Sequence, residues 1–369
     1  MPVGTLLLSV LPLSVPTTLL RAQNSVAAAP SQSSRGASAP SPGSSSEGAT
    51  SKGPQGIRVR VEAVNVPVSV LNKSGLPVIG LERKDFEIYE NGKQQTIRYF
   101  GKDPPVPLRI GLILDTSNSA RPQLQFEKDA ASEFVFNTLR GRNSRNQIFL
   151  QTYDATSSLV QDFVNDPETL NEKIRGLKAG GGKALYDAIY FACSEKLLKA
   201  GSPDHTRRVL VLMADGGDVQ STHTLDEALS MAHKAGTFIY AIGNAAYGYY
   251  NAGDKVLEKL AAATGGATFF PLRAAVGTDL LTGYLSQGQI GETSQNKGLG
   301  AATGIYSATR WIRLADSLDA IRRELNEQYT IGYTPTNNVM DGTYRTIHVV
   351  ALRKGVRVRA KPGYFATAE

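Results

Sequence analysis

The chain has 369 residues, enough for about two domains at roughly 150 residues each. Hydrophobic residues make up 41% and charged residues 20%, so most of the chain can bury a core. The formal charge of +7 comes without a Lys/Arg block, a zinc-finger spacing or an aromatic RNA-binding signature, so no nucleic-acid partner is expected. The single cysteine, Cys193, excludes an internal disulfide framework and a thiolate metal cluster, and four scattered histidines argue against a histidine-rich zinc site.

Residues 4–20 (GTLLLSVLPLSVPTTLL) form an apolar run interrupted by Pro12 and Pro16. The run suits the apolar region of a secretory signal better than a spanning helix, so residues 1–22 read as a signal peptide and the chain as exported: periplasmic, cell-surface or extracellular. No Lys or Arg precedes it and Ser25-Val26-Ala27 is only a tolerable cleavage site, which leaves a membrane-tethered N-terminus open. Residues 23–56, dominated by Ser, Ala, Gly and Pro, have little to bury and read as a flexible linker.

A folded body starts near Ile57. Apolar residues alternate over Ile57–Ala63, and the phase flips at Val64, which suggests a bulge. Val64, Val66, Val68 and Val70 continue a strand in which Pro67 predicts an edge position. Asn91-Gly92 between FEIYE and QQTIRYF is a hairpin turn signal. Residues 57–104 therefore read as a small antiparallel β module.

After Pro104-Pro105 strands and helices alternate. LRIGLIL (108–114) and RVLVLMA (208–214) are continuously apolar, as expected of strands covered on both faces. Between and beyond them come a helix over about 123–139, strands IFLQTY and SSLVQDFV, and helices near 167–177 and 184–199. Helix 224–235, strand FIYAIG, helix 254–263 and strand ATFFPL follow. This alternation predicts a doubly wound, mostly parallel sheet with helices on both faces, over 105–335. Within it, residues 273–310 show no clear periodicity and read as an insertion. A helix over 314–327, the strand QYTIGYTP and two strand-like runs around Asp341-Gly342 close the chain. Residues 336–369 are then a C-terminal β segment packing with the first β module.

Ligands of an open parallel sheet bind beyond the carboxyl ends of its strands. Two of the most apolar strands end there in an aspartate. LILDTSNS supplies Asp115 with Ser117 and Ser119; VLMADGGD supplies Asp215. Carboxylate and hydroxyl oxygens on one edge suit a hard divalent cation. For any one Asp or Ser, helix capping or turn support is the ordinary alternative.

These residues resemble the von Willebrand factor type A (VWA) domain over Val106–Leu272. In that family a metal-ion-dependent adhesion site combines D-x-S-x-S with a threonine in a second loop and an aspartate in a third. Asp115-Thr116-Ser117-Asn118-Ser119 matches the first element and Asp215 the third. The second loop is GGGKALYDAI, in which Lys183 stands where the threonine is expected, and no Ser or Thr between Lys178 and Asp187 replaces it. An ammonium has no lone pair for a metal and competes with a cation for the same field. Three arrangements stay open: a weakened metal site, a metal-free site in which Lys183 pairs with Asp115 or Asp215, or a Lys183 directed into solvent. The flanking GLPVIGLERKDFEIYENGKQQTIRYF, QYTIGYTP, GTYRTIHVVAL and VRVRAKPGYF resemble the secreted VWA-related proteins of acidobacteria.

The resemblance implies a non-enzymatic module that binds a protein ligand, adhesion-like or complex-forming, with Mg²⁺ (or Mn²⁺ or Ca²⁺) held by Asp115, Ser117, Ser119 and Asp215. The loops Tyr153–Ser157, Gly180–Tyr186 and Asn244–Gly253 would frame the contact face. Tyr247, Tyr249 and Tyr250 near that edge are candidate ligand contacts, with ordinary packing as the alternative. A second reading is an envelope-associated scaffold with a degenerate, metal-free site. A third, a phosphoryl-transfer enzyme, lacks its general acid because Ser117 stands two residues after Asp115. There is no G-x-S-x-G elbow for a serine hydrolase, and no catalytic residue is assigned.

Overall fold

The computed structural model describes residues 63–101, 106–140, 145–201, 206–243, 252–271 and 299–366, of which 299–311 are described only as helix. Four strands come first: β1 (Val64–Leu71), β2 (Phe86–Glu90), β3 (Lys93–Gln95) and β4 (Ile97–Gly101). The β2–β3 hairpin turns on Asn91 and Gly92, whose φ values of 48° and 77° are what a two-residue turn of this hand requires. There follow β5 (Leu108–Asp115), α1 (Leu124–Leu139), β6 (Gln147–Tyr153), β7 (Ser157–Val164), α2 (Pro167–Gly176) and α3 (Leu185–Phe191). The last of these continues as a wider π-helical stretch, Ala192–Leu197. Next come β8 (Arg207–Ala214), α4 (Leu225–Lys234), β9 (Phe238–Gly243), α5 (Ala252–Thr264) and β10 (Ala267–Phe269). The chain closes with α6 (Leu299–Asn326), β11 (Tyr329–Tyr333), β12 (Tyr344–Ala351), β13 (Arg357–Ala360) and β14 (Gly363–Phe365).

The central sheet has the order β10-β9-β8-β5-β6-β7. Its first five strands in that order are parallel, and β7 is antiparallel at one edge. The expected doubly wound fold is therefore present. Strand β5 shows why the sequence demands two covered faces. Leu108, Ile110, Leu112 and Leu114 pack on one face with α1 and α6, through Phe134, Val135, Leu318 and Ile321. Ile113 packs on the other with Leu185, Ile189, Leu229 and Leu257 from α3, α4 and α5. On that second face Gly111 makes room for its neighbours, since a Cβ there would lie 2.4 Å from Phe149 and 2.7 Å from Leu210.

The flanking strands form two antiparallel four-stranded sheets, β13-β1-β11-β4 and β14-β12-β2-β3. Each combines segments from both ends of the body, as expected, around a shared core that includes Val66, Val68, Phe86, Ile88, Ile331 and Val349. Pro67 does not mark an edge: β1 lies between β13 and β11. Its ladder with β13 begins only at Val68, so Pro67 precedes the stretch paired on both sides and the missing N–H leaves the two ladders intact.

Two further elements differ from the sequence reading. Helix α6 starts at Leu299, well before the expected 314, because LGAATGIYSATR has small helix-tolerant residues but no apolar stripe to announce it. Strands β12, β13 and β14 all follow Gly342, and no strand lies between Tyr333 and Asp341 among the described residues. The alternation over Ile57–Ala63 and most of the insertion 273–310 lie outside the described residues. Among the described residues no helix is long and apolar enough to cross a membrane.

Candidate functional site

Asp115 ends β5 and Asp215 follows β8, and these strands are neighbours in the sheet. Chain connections leave β5 towards β6 on one side and return to β8 on the other, so the crevice above them is a topological switch point. Four loops meet there and are joined through their backbones. Gly180 N donates to Thr116 O (2.8 Å) and Asn118 N to Gly181 O (3.3 Å), which ties the α2–α3 loop to the β5–α1 loop. Val219 N and Gln220 N both donate to Lys183 O (3.0 and 2.9 Å), which ties it to the loop after β8. Ala184 N donates to Asp154 O (2.8 Å) and adds the β6–β7 loop.

Within this frame Asp115 is fully buried and accepts a bond from Ser117 N on Oδ1 (2.8 Å). Its Oδ2 has no hydrogen-bond partner. The Ser117 and Ser119 hydroxyls bond to each other (2.9 Å). Asp215 accepts from Gly217 N on Oδ1 (2.9 Å) and from Lys183 Nζ on Oδ2. Of the three arrangements open for Lys183, the structure shows the pair with Asp215, with side chains only 17% and 28% exposed.

The electrostatics follow from burial. Loss of water pushes the Asp115 carboxyl up from its ordinary range, the Ser117 bonds pull it back, Asp215 adds repulsion and Lys183 offsets part of it. Near Asp115 lies Tyr153, fully buried, whose hydroxyl is held well above the ordinary phenol range by burial, by the charges of Asp115 and Asp215 and by its side-chain interaction with Asp115.

Sequence reasoning missed the support around this site. Asp187 lies in the first turn of α3 and closes the loop after β8. It accepts from Thr222 N (3.0 Å), Thr222 Oγ1 (3.1 Å) and His223 N (2.9 Å), and pairs with His223 Nδ1 at 2.6 Å. The His223 ring stacks on Tyr190 with centroids 3.7 Å apart. Hydrogen bonding to Asp187 outweighs its burial and holds its carboxyl below the usual range. The acidic Asp218 accepts from Ser221 Oγ (2.6 Å) and Tyr186 N (3.3 Å) in the same loop. At the rim, Arg121 donates to Asn118 Oδ1 (3.1 Å) and Ala179 O (3.2 Å). Only the density of Asp, Ser, Thr and His over 215–224 hinted at this network. Tyr247, Tyr249 and Tyr250 lie outside the described residues, as do most of Asn244–Gly253 and His205.

Residues 110–217 match the von Willebrand factor type A domain. No curated protein matches the chain. Solved structures similar to it include proximal thread matrix protein 1 from the mussel byssus with a zinc-occupied MIDAS motif, at 17% identity, covering 50% of this chain and 46% of that one, TM-score 0.39. The vWF domain of the type V pili tip protein Mfa5 from Porphyromonas gingivalis is similar at 14% identity, covering 50% of this chain and 97% of that one, TM-score 0.36. A von Willebrand factor type A structure from Catenulispora acidiphila is similar at 16% identity, covering 60% and 49%, TM-score 0.37. The chain spans 46% and 28% of the length of the mussel protein and of a three-domain Mfa5 structure.

The type A domain implies a divalent cation, and the donor set can be tested for it. Asp115 Oδ2, without a partner, and the Ser117–Ser119 hydroxyl pair are the fitting half. The other half does not fit: Lys183 supplies an ammonium where an oxygen is needed, and that ammonium holds Asp215 Oδ2. Among the described residues no three His, Cys, Asp or Glu side chains are grouped to hold a metal. While Lys183 remains on Asp215, this half of the donor set offers an ammonium rather than an oxygen to a divalent cation.

Proposed function

We propose that the chain is an exported, non-enzymatic protein-binding module, adhesion-like or complex-forming, that meets its partner at the carboxyl edge of the central sheet. One observation carries the reading: at the switch point, loops from four parts of the chain converge and are bonded to one another around Asp115, Lys183 and Asp215. Rigid strands hold adaptable loops at the place where this architecture takes its ligands. Val219, 79% exposed on the loop after β8, adds an apolar contact beside the charged pair.

A photo-crosslinking residue placed at Val219 tests the edge, and one at Lys199, near the start of β8, serves as the opposite-end control. Exposed to the envelope fraction of the producing cells, the first is expected to give one discrete protein adduct and the second none. Equal labelling from both ends would sink the reading. So would hydrolysis of an aryl phosphate that disappears in Asp115→Asn.

A further inference from the structure

We propose that Lys183 is the resident cation of this site: its ammonium fills the place that a divalent ion would take and keeps metal out, so that the edge works without one. The inference rests on the carboxyl edge being the binding face, and deepens that reading by fixing its cation requirement.

The loops are built around the lysine. Its carbonyl is held by Val219 N and Gln220 N (3.0 and 2.9 Å), which fixes where the side chain starts. Gly217 runs alongside that side chain, at a distance where a Cβ would make ordinary contact with Lys183 Nζ (3.4 Å) and Cδ (3.6 Å). Gly216 adopts φ 77° and passes so close to Gly253 O that a Cβ would be 2.0 Å away, which locks the turn that presents Asp215 to the lysine. The ammonium therefore lands on Asp215 Oδ2 from a pinned backbone.

Exchange for a metal is disfavoured on three counts. A partly buried ion pair would have to be broken, leaving the ammonium without a counter-charge. Mg²⁺ sheds its waters reluctantly and asks for near-ideal octahedral oxygens. The second loop has no Ser or Thr from Lys178 to Asp187 to supply one. Lys183 also lies close enough to Asp115 to offset part of the cost of burying that carboxylate, the task a metal performs in an occupied site.

The test uses the full chain and the metal alone. Mn²⁺ and Mg²⁺ are titrated by calorimetry against the parent, Lys183→Thr, Lys183→Met and the double variant Lys183→Thr/Asp115→Ala, with thermal melts confirming that each is folded. The parent is expected to show no saturable binding at millimolar metal. Lys183→Thr should bind Mn²⁺ at least about ten-fold more tightly than Lys183→Met, and the double variant should lose that binding. The folded Lys183→Thr should also melt higher with Mn²⁺ than without it. Saturable binding in the parent that vanishes in Asp115→Ala would overturn the proposal, because the lysine would then not exclude the ion. A folded Lys183→Thr that stays silent would overturn it too, since removing the lysine would have opened no site. Neither result touches the crosslinking test of the binding face, so the two readings fail separately.

Discussion

Buried carboxylates occur both at the carboxyl edge of the central sheet and where the flanking strands pack, and they are handled differently. Glu90, at the heart of the flanking sheets, accepts from Tyr333 Oη (2.6 Å) and Tyr364 Oη (3.0 Å) on Oε2 and faces Arg345 from Oε1 at 3.6 Å. Glu324, at the end of α6, accepts from Tyr240 Oη (3.1 Å) on Oε1 and from Arg359 (2.5 Å) on Oε2. Both oxygens of each are engaged. Asp115, equally buried, keeps Oδ2 bare. Closed networks hold elements together, whereas an open carboxylate oxygen, which Asp115 shares with Glu133 on α1, retains an unmet interaction.

The sharpest way to break the comparison is to open a closed network. Arg345 is 1% exposed and also donates to Asn337 O and Val339 O. Arg345→Met leaves Glu90 without its cation and those carbonyls without their donor, at an expected cost of about 4 kcal/mol. Urea denaturation checks it; a loss below about 1 kcal/mol would show that the network does not carry stability. Glu324→Leu should cost somewhat less, about 3 kcal/mol, because Arg359 is nearer the surface and can regain water.

Lys361 presents the reverse case, a cation with no carboxylate paired to it among the described residues. Its Nζ lies over the Phe238 ring at 5.1 Å, and burial together with the charges of Arg208 and Arg207 lowers its pKa from 10.5 to about 8. The unfolded chain therefore binds more protons than the folded one between these values. The penalty for burying the charge is full below pH 8 and fades as pH rises towards 10.5. Lys361 should contribute a climb of about 2 kcal/mol across that window, read as the difference between the urea midpoints of the parent and Lys361→Met at stepped pH, because buried tyrosines such as Tyr153 and Tyr333 pull total stability down as pH nears 10. A difference that does not change with pH would contradict this account.

These contrasts also mark what could be read from the chain. Strands β5 and β8 were legible because a parallel strand covered on both faces must be apolar throughout, and their terminal aspartates then had to share an edge. The direction of Lys183 was not legible. A long flexible side chain has several carboxylates in reach, and its choice depends on the turn that Gly216 and Gly217 impose on Asp215. Tyr153 was equally hidden, since strand periodicity marks it as buried but does not reveal that its hydroxyl lies within reach of the Asp115 charge. Pro67 misled because edge position was inferred from one residue, while register decides which residues a second ladder requires.

The smallest expected effect is the most informative about the open carboxylate. In Asp115→Asn the side-chain oxygen can still accept from Ser117 N, and the amide replaces an oxygen that bonds nothing. The substitution removes a buried charge together with its attraction to Lys183 and its repulsion from Asp215, terms that oppose one another. The net change in stability should stay within about 1 kcal/mol of the parent, in either direction. Glu324→Gln, an identical change of charge in a closed network, should cost more than that, because the amide cannot accept from Tyr240 and Arg359 at once. Urea denaturation of the two variants side by side decides the matter. Equal losses would mean that Asp115 is held as part of the scaffold, and the distinction between open and closed carboxylates would fall.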